Sequence, residues 1–205
     1  MSIILVRHGE TPLNAARVMQ PPTTGLSSRG LEQAQRVADR LCLQQPMALL
    51  SSDMPRAMQT AEAIAARTGL PVVSSPLLRE RNFGDLRGLP YDSLGFDPLT
   101  MKEAPANGES MLDFEQRVAE AFAEVVERRS RLSGSIVVVS HGLWIKAALS
   151  YLCHLHGGIA VPERIGNTSV TILLRDPPHR PATVNCTQHL DQDGLSETGL
   201  SLSGG

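Results

Sequence analysis

The chain has 205 residues, of which 41% are hydrophobic and 20% are charged, and its formal net charge is -2. This length and composition are typical of one globular domain with a sizeable core. The sequence lacks a basic excess, which argues against nucleic acid and against an anionic membrane surface as partners.

The first predicted element is a strand over residues 3–6. Its apolar run is far too short for a signal-peptide core or a membrane span, which indicates a cytoplasmic protein. The cysteines are odd in number and lack CxxC spacing, so we expect neither a disulfide framework nor a cysteine zinc site. They are Cys42, Cys153 and Cys186.

Short apolar runs then alternate with longer amphipathic stretches. Ser27 and Ser28 can cap a predicted helix that runs through Leu41, and a strand follows at 48–50. A second helix over 55–67 is closed by Gly69 and is followed by a strand at 71–73. This alternation favours a sheet covered by helices over a helical bundle or an all-β sandwich.

The second half of the chain begins with a loop-like segment at 79–108, rich in Gly, Pro, Asp and Asn. We expect only short helical turns in it, and its part 83–108 is predicted to cover a site. A long helix over 110–131 follows. The next strand, 136–139, is a run of four branched residues, which predicts burial on both faces. The remaining elements are a helix over 143–152 and strands at 168–174 and 182–187.

Together these elements predict an α/β fold, a three-layer sandwich in which a mostly parallel central sheet carries helices on both faces. We expect one domain over residues 1–192, with the segment 83–108 as its cover. The Gly- and Ser-rich residues 193–205 predict a flexible C-terminal tail.

Polar and charged residues follow four of the predicted strands at the point where each ends. In parallel sheets, ligands bind beyond the carboxyl ends of the strands. Each residue alone has an ordinary explanation as a solvated strand end. Two arginines beside two histidines, however, predict a pocket for a phosphate monoester, because guanidinium groups bond oxyanions bidentately. The segments are Arg7-His8-Gly9-Glu10, 51–56, Arg79-Glu80-Arg81 and Ser140-His141-Gly142.

The segment Leu5-Val6-Arg7-His8-Gly9-Glu10-Thr11 resembles the RHG signature of the histidine phosphatase superfamily, the phosphoglycerate mutase-like proteins. The resemblance continues in the family's order over nearly the whole chain and implies the fold of that family. Its further motifs are Asn14, Leu26-Ser27-Ser28-Arg29-Gly30, 51–61, Glu80-Arg81-Asn82-Phe83-Gly84, Gly108-Glu109-Ser110, Val138-Val139-Ser140-His141-Gly142 and Asn167-Thr168-Ser169-Val170.

The resemblance also implies roles for individual residues. His8 is implied as the nucleophile, and Arg7, Arg56 and His141 as the rest of the phosphate pocket. Glu80 is implied as the proton donor. The further phosphate or substrate contacts that it implies are Gly9, Asn14, Arg81 and Gly142.

The expected chemistry is in-line attack by His8 on a phosphoryl group that the two arginines hold. A protonated His141 is expected to add a donor. Glu80, kept protonated by burial, is expected to protonate the leaving alkoxide and then to assist the attacking water. Because Gly9 has no side chain, we expect backbone to approach the ring of His8 and to fix its tautomer. The scheme needs no metal ion and no organic cofactor, since the arginines supply the positive charge.

Other notable residues have simpler explanations. Cys153, His154 and His156 have no acidic or cysteine pair nearby in sequence, so we predict no metal site there. Ser140 lacks the GxSxG spacing of a serine hydrolase and is predicted to be a hydrogen-bonding residue at a strand end. Three arginines of the helix over 110–131 are interpreted as a solvated face, with a homodimer contact left open. They are Arg128, Arg129 and Arg131.

The main hypothesis is therefore a phosphatase that hydrolyses small phosphomonoesters. The alternative is a cofactor-dependent phosphoglycerate mutase, which must keep water away from its phosphohistidine. Mutases of the family carry a longer insertion before the position of His141, with an extra lysine and paired arginines, whereas this chain has only Lys102 there. Leu143 also stands where mutases usually have an asparagine. Both differences favour hydrolysis.

A third hypothesis is a phosphate-binding module without turnover. Loss of the nucleophile or of the acid would mark such a module, but His8 and Glu80 are both present. The sequence leaves the substrate open among phosphosugars, phosphoserine, α-ribazole phosphate and phosphoglycerates.

Overall fold

The computed structural model describes residues 2–156 and 160–193, without side-chain detail for 153–156 and 192–193. Its strands are β1 (Ser2–Arg7), β2 (Ala48–Ser52), β3 (Val72–Ser75), β4 (Ile136–Ser140), β5 (Val170–Leu174) and β6 (Pro181–Cys186). Its helices are α1 (Pro12–Ala15), α2 (Ser28–Cys42), α3 (Pro55–Thr68), α4 (Met111–Ser130) and α5 (Gly142–His156). The predicted tail at 193–205 lies outside the described residues, except for Asp193, which ends a 3-10 turn.

The six strands form one sheet in the order β3-β2-β4-β1-β5-β6. β1 to β4 run parallel to one another, whereas β5 and β6 form an antiparallel pair beside β1. The short connection between β5 and β6 permits this pair, since antiparallel neighbours need no crossover. The prediction of a mostly parallel sheet is confirmed. The carboxyl ends of β1 to β4 consequently meet at one edge.

Helices cover both faces of the sheet, as predicted. Alternate residues of β1 point to opposite faces, so Ile3 and Leu5 belong to one core and Ile4 and Val6 to the other. The first core is completed by residues of α4 and α5, and the second by residues of α2 and α3. All five residues of β4 are buried, which confirms the two-sided burial predicted from its branched side chains.

The helix boundaries follow from their caps. The hydroxyl of Ser27 accepts a hydrogen bond from the amide of Gly30 and begins α2, and Ser110 does the same for α4. Gly69, with φ of 73°, ends α3. The sequence did not predict the short α1, which Thr11 and Asn14 cap reciprocally. No helix among the described residues combines the length and the apolar composition needed to cross a membrane.

The interpretation of three arginines on α4 as a solvated face is wrong for Arg129. Arg128 and Arg131 are exposed and pair with Glu124 and Glu127. Arg129 is buried and donates to the carbonyl oxygen of Leu132 at 3.0 Å. It follows Val125 by four residues, and that spacing places it on the buried face of the helix.

The segment 83–108 contains two 3-10 turns, Gly84–Leu86 and Tyr91–Ser93, and so forms only short helical turns, as predicted. It lies against the loop that follows β1. The amide of Gly88 donates to the carbonyl oxygen of Met19 at 2.7 Å, and the amide of Tyr91 donates to that of Arg17 at 3.0 Å. These bonds tie the cover segment to the loop that carries the motif after β1.

Candidate active site

The predicted strand-end residues come together at the carboxyl edge of the parallel strands. Arg7 ends β1 and His8 follows it, while Arg56 lies in the first turn of α3 and His141 directly precedes α5. The ring centroids of His8 and His141 are 5.1 Å apart. The Nε atom of Arg56 lies 3.3 Å from Nε2 of His8. The sheet thus assembles one cluster from segments more than 130 residues apart in sequence.

Hydrogen bonds hold His8 on every side. Its amide donates to the carbonyl oxygen of Ser140 at 3.0 Å, and its carbonyl oxygen accepts from Nδ2 of Asn167 at 3.1 Å. Its ring nitrogen Nδ1 lies 2.7 Å from the carbonyl oxygen of Gly9. Because a carbonyl oxygen only accepts, Nδ1 carries the ring proton. Nε2 of the neutral ring is therefore left with its lone pair, in contact with Arg56.

Gly9 fixes the tautomer of His8 through its own carbonyl group. Its missing side chain allows another contact, the close approach of Gly30. A Cβ atom at Gly9 would lie 2.5 Å from the carbonyl oxygen of Gly30, and one at Gly30 would lie 2.0 Å from that of Glu10. The two glycines let the start of α2 pack directly on the loop after β1. The amide of Gly9 also donates to Oγ1 of Thr60 on α3, at 3.1 Å.

Arg56 is the cation that donates to Nε2 of His8. Its NH1 group also approaches the carbonyl oxygen of Pro21, at 3.5 Å. Burial lowers the pKa of Arg56 to about 10, with Arg7 and Arg87 lowering it further and Glu80 opposing them. The guanidinium group is therefore still charged at neutral pH. An incoming phosphoryl group would replace the contact between Arg56 and His8.

His141 departs from the expectation of a protonated ring. Burial, followed by the charges of Arg56, His8 and Arg7, holds the pKa of His141 well below its usual value. Its Nε2 lies 2.8 Å from the hydroxyl of Ser52. That hydroxyl accepts from the amide of Met54 and can donate its hydrogen to Nε2. Nδ1 then carries the proton and, among the described residues, has no acceptor. The neutral ring thus offers a donor without a charge.

Glu80 is 3% exposed, and each of its carboxyl oxygens accepts a backbone hydrogen bond. The amide of Leu143 donates to one oxygen at 3.0 Å and that of Arg81 to the other at 3.1 Å. Burial raises the pKa of Glu80, although these bonds and the charges of Arg56 and Arg7 act in the opposite direction. The group is accordingly suited to hold a proton and release it in the site.

Arg81, predicted as a substrate contact, makes backbone contacts in the structure. It is 1% exposed, and its guanidinium group donates to three backbone carbonyl groups of one segment. The acceptors are the carbonyl oxygens of Glu109 at 3.0 Å, Met101 at 2.6 Å and Glu103 at 3.0 Å. These bonds use three of its five N–H donors and anchor the cover segment, while a contact between Arg81 and substrate stays a prediction.

Two other predicted contacts lie in α1 and at the start of α5. Asn14 is buried, and its Oδ1 accepts from the amide of Thr11 at 3.2 Å, which caps α1. Gly142 is the first residue of α5, where backbone N–H groups have no partner within the helix and attract anions. The prediction that Ser140 is a strand-end hydrogen bonder is confirmed, since its hydroxyl donates to the carbonyl oxygen of Leu78 at 2.8 Å.

The sequence patterns indicated no role for three residues that position the cluster. Ser52 contacts His141, Thr60 contacts Gly9, and Asn167 contacts His8. All three are buried polar side chains. All three lie within the family motifs. Ser52 ends a strand and Asn167 precedes one, a location that could have singled them out, whereas Thr60 lies inside α3.

The cluster is enclosed. Arg7, His8, Arg56 and His141 are each at most 1% exposed. A cavity of about 540 Å³ reaches Glu80 from outside. A second cavity, of about 490 Å³, lies beyond Leu143 and is also lined by Tyr91 and Lys146. Access of a substrate to His8 therefore requires movement of the residues that cover it. The predicted absence of a metal site at Cys153, His154 and His156 concerns side chains outside the described residues.

Comparison with known proteins gives consistent relatives over the whole fold. The family model described as "Histidine phosphatase superfamily (branch 1)" matches residues 3–186. "Phosphoglycerate mutase-like protein 4" of Arabidopsis thaliana is 34% identical, over 97% of this chain and 90% of that protein. A mycobacterial glucosyl-3-phosphoglycerate phosphatase, solved with VO3, superposes with a TM-score of 0.78 at 31% identity, over 90% of this chain and 99% of that chain. A phosphoserine phosphatase mutant from Entamoeba histolytica, solved with phosphoserine, superposes with a TM-score of 0.78 at 27% identity, over 92% of this chain and 98% of that chain.

Proposed function

The chain belongs to the histidine phosphatase superfamily, branch 1, and is an enzyme of the phosphatase class, and we propose that it hydrolyses small phosphomonoesters through a phosphohistidine on His8. The observation that carries this proposal is the state of the His8 ring. Its Nδ1 proton is committed to the carbonyl oxygen of Gly9 at 2.7 Å, which leaves Nε2 with a lone pair beside the guanidinium group of Arg56.

In the first half-reaction, the lone pair of Nε2 forms the N–P bond as the bond from phosphorus to the alcohol oxygen breaks. Arg7, Arg56 and the Nδ1–H group of His141 hold the phosphoryl oxygens and stabilise their charge. Glu80 gives its proton to the leaving oxygen. The bond from Nδ1 to Gly9 stabilises the positive charge that the ring acquires.

In the second half-reaction, water attacks phosphorus and the N–P bond breaks. Ionised Glu80 accepts a proton from this water, which restores the acid for the next turnover. Inorganic phosphate and neutral His8 result. The guanidinium groups of Arg7 and Arg56 supply the positive charge throughout, so the scheme contains no step that needs a metal ion.

The test is a panel of phosphomonoesters assayed with a chelator present, for the unmodified enzyme and for His8→Ala. We expect turnover by the unmodified enzyme and a loss of at least about a thousandfold in His8→Ala. The matched control is His179→Ala, because His179 lies apart from the cluster and contacts the carbonyl oxygen of Leu174. A phosphoenzyme labile to acid and stable to base should form. Full activity in His8→Ala, or activity lost with the chelator, would refute the mechanism.

A phosphoglycerate mutase is the second candidate, favoured by the enclosure of His8 and by the mutase-like name of the Arabidopsis relative. Both functions share the first half-reaction, so the fate of the phosphoenzyme separates them. Rapid decay in water supports a phosphatase. Slow decay in water with fast transfer to 2- or 3-phosphoglycerate identifies a mutase. A protein that binds these esters without forming a phosphoenzyme is a binding module.

A further inference from the structure

The cavity that reaches Glu80 also carries three arginines. Its walls include residues that follow β3, residues of the cover segment and residues of α4. Its charged lining includes Arg79, Glu80, Arg87 and Arg117. Glu80 is the group proposed to protonate the leaving oxygen. An ester bound with its leaving oxygen at Glu80 would extend its alcohol part into this cavity, where the arginines can contact it.

Two of these arginines already have carboxylate partners. Arg79 makes two bonds to Asp53, at 2.6 and 2.5 Å. Arg117 makes two bonds to Glu109, at 2.9 and 2.8 Å, and further bonds to backbone carbonyl groups. Each charge is balanced by a carboxylate partner. Arg117 uses all five of its N–H donors, whereas Arg79 uses two and relies on Asp53 for its charge balance.

Arg87 differs from both. It is partly buried in the cover segment, and within the described residues its guanidinium group has no hydrogen bond and no carboxylate within 4.0 Å. Burial and the nearby charge of Arg79 lower its pKa, so its charged form is held in an unfavourable environment. A partly buried guanidinium group without a partner costs free energy that an anion would recover.

Arg87 is also close to the phosphate pocket. Its positive charge is one of the causes that lower the pKa of Arg56. A dianionic phosphoryl group balances the charges of Arg7 and Arg56, and burial favours the protonated form of Glu80. Arg87 then keeps its positive charge beside the leaving alcohol, since the remaining carboxylate of the lining, Asp113, is exposed and accepts from the hydroxyl of Ser110.

The second cavity does not have this property. It is not lined by Glu80, and its cations Arg17 and Lys146 already have partners. Arg17 pairs with Asp92 at 3.1 Å, and the ammonium group of Lys146 donates to the carbonyl oxygen of Glu163 at 2.9 Å. The cavity beside Glu80 is therefore the better site for a charged leaving group.

We propose that Arg87 binds a second oxyanion, a carboxylate or a second phosphate, on the alcohol part of the substrate, and so selects anionic phosphomonoesters. This inference rests on the proposed function, since Glu80 locates the leaving alcohol. Arg87 acts on substrate binding and takes no part in proton transfer or in attack on phosphorus. The planar guanidinium group provides parallel donors that match the two oxygens of a carboxylate or phosphate.

The experiment compares esters that differ by one anionic group. The pairs are phosphoserine with phosphoethanolamine, 3-phosphoglycerate with glycerol 3-phosphate, and fructose 1,6-bisphosphate with fructose 6-phosphate. The first two pairs test a carboxylate and the third tests a second phosphate. We expect the unmodified enzyme to favour the more anionic member of at least one pair in kcat/KM.

In Arg87→Gln, kcat/KM for the favoured member should fall by about 10-fold to 100-fold, mainly through KM, whereas its partner should change little. Arg87→Lys should restore part of the preference, because lysine keeps the positive charge. The restoration should be incomplete, since lysine lacks the two parallel N–H donors of a guanidinium group. Arg79→Gln is the matched control. It removes an arginine from the same cavity, but one already paired with Asp53, so the ratio within each pair should stay the same.

A direct binding measurement separates this proposal from the proposed function. Calorimetric titration of His8→Ala, with and without Arg87→Gln, gives Kd values for 3-phosphoglycerate and glycerol 3-phosphate. A preference that depends on Arg87 supports the subsite even if the enzyme shows no turnover. Equal effects of Arg87→Gln on both members of every pair, or no preference in the unmodified protein, would overturn the subsite. Turnover through His8 would then still stand.

Discussion

Glu80 illustrates how burial decides the chemistry of a single side chain. Two backbone N–H groups and two nearby guanidinium groups favour its ionised form, yet burial outweighs them and raises its pKa. Burial shifts the pKa of His141 in the opposite direction, downward, because it disfavours the charged imidazolium. The enclosed cluster thus favours the protonated form of a carboxyl group and the uncharged form of a histidine. The site can bind a phosphate dianion and still have an acid ready.

The proposed role of Glu80 predicts a specific pH dependence. Because its pKa is raised, the acid form should persist above pH 4.5, and kcat should fall as pH rises through the raised pKa. Glu80→Gln should lower kcat by about 10²- to 10⁴-fold for alkyl phosphates and should abolish this alkaline limb. The measurement is the pH profile of kcat for both proteins.

The control for Glu80→Gln is p-nitrophenyl phosphate, whose leaving group needs little protonation. Its first half-reaction should change far less in Glu80→Gln than that of an alkyl phosphate. An equal loss for both esters, or an alkaline limb that persists in the variant, would contradict the role of Glu80 as the acid.

At the scale of elements, the cover segment 83–108 depends on contacts far apart in sequence. Arg81 bonds to three carbonyl groups between Met101 and Glu109. Gly84 has φ of 51°, and a Cβ atom there would lie 2.0 Å from the carbonyl oxygen of Ala106. These contacts fold the segment back on itself at its two ends. The bonds from Gly88 to Met19 and from Tyr91 to Arg17 hold the part next to Arg87 against the loop after β1.

Gly84→Ala tests this closure. Both the positive φ and the clash with Ala106 oppose a side chain at this position. We expect a loss in the free energy of unfolding, measured with urea, that exceeds the loss in Gly88→Ala by at least about 1 kcal/mol. Amide hydrogen exchange in the cover segment should also accelerate.

Gly88→Ala is the matched control because Gly88 has φ of 87°, but a Cβ atom added there would meet no other atom within 4 Å. It measures the cost of the backbone conformation alone, about 1 kcal/mol. If the two variants lose the same stability, the close approach of Gly84 to Ala106 does not hold the cover.

At the scale of the whole molecule, strand order ties distant parts of the chain together. β1 lies between β4 and β5, and β4 lies between β2 and β1. Both hydrophobic cores contain residues of β1 and β4. The two faces consequently share their central strands, so neither half of the chain can bury its own core alone. The expectation of one domain over residues 1–192 stays a prediction.

We therefore predict a single unfolding transition in urea. The protein has one tryptophan, and Trp144 is fully buried in α5, with its indole N–H donating to the carbonyl oxygen of Leu77 at 3.1 Å. Its fluorescence reports on one face of the sheet, and far-ultraviolet circular dichroism reports on all elements. The two curves should coincide. A fluorescence midpoint clearly below the dichroism midpoint would indicate separate domains.

The amino-acid sequence was sufficient to predict most of the elements, the mostly parallel sheet and the segments that meet at its carboxyl edge. These features follow from local patterns, such as the branched run in β4 and the serine caps of α2 and α4, which act within a few residues. The buried position of Arg129 could also have been inferred from its spacing to Val125, although the sequence was interpreted as giving it a solvated position.

The state of each group in the site, by contrast, depends on the packed fold. The contact with Gly9 fixes the tautomer of His8, and burial disfavours the charge expected on His141. Arg81 anchors the cover segment. Arg87 lies in the cavity lined by Glu80 and has no carboxylate partner among the described residues. Each outcome depends on burial and on contacts between residues far apart in sequence. No local pattern encodes them, because the free energy of a charge or a proton depends on its surroundings in space.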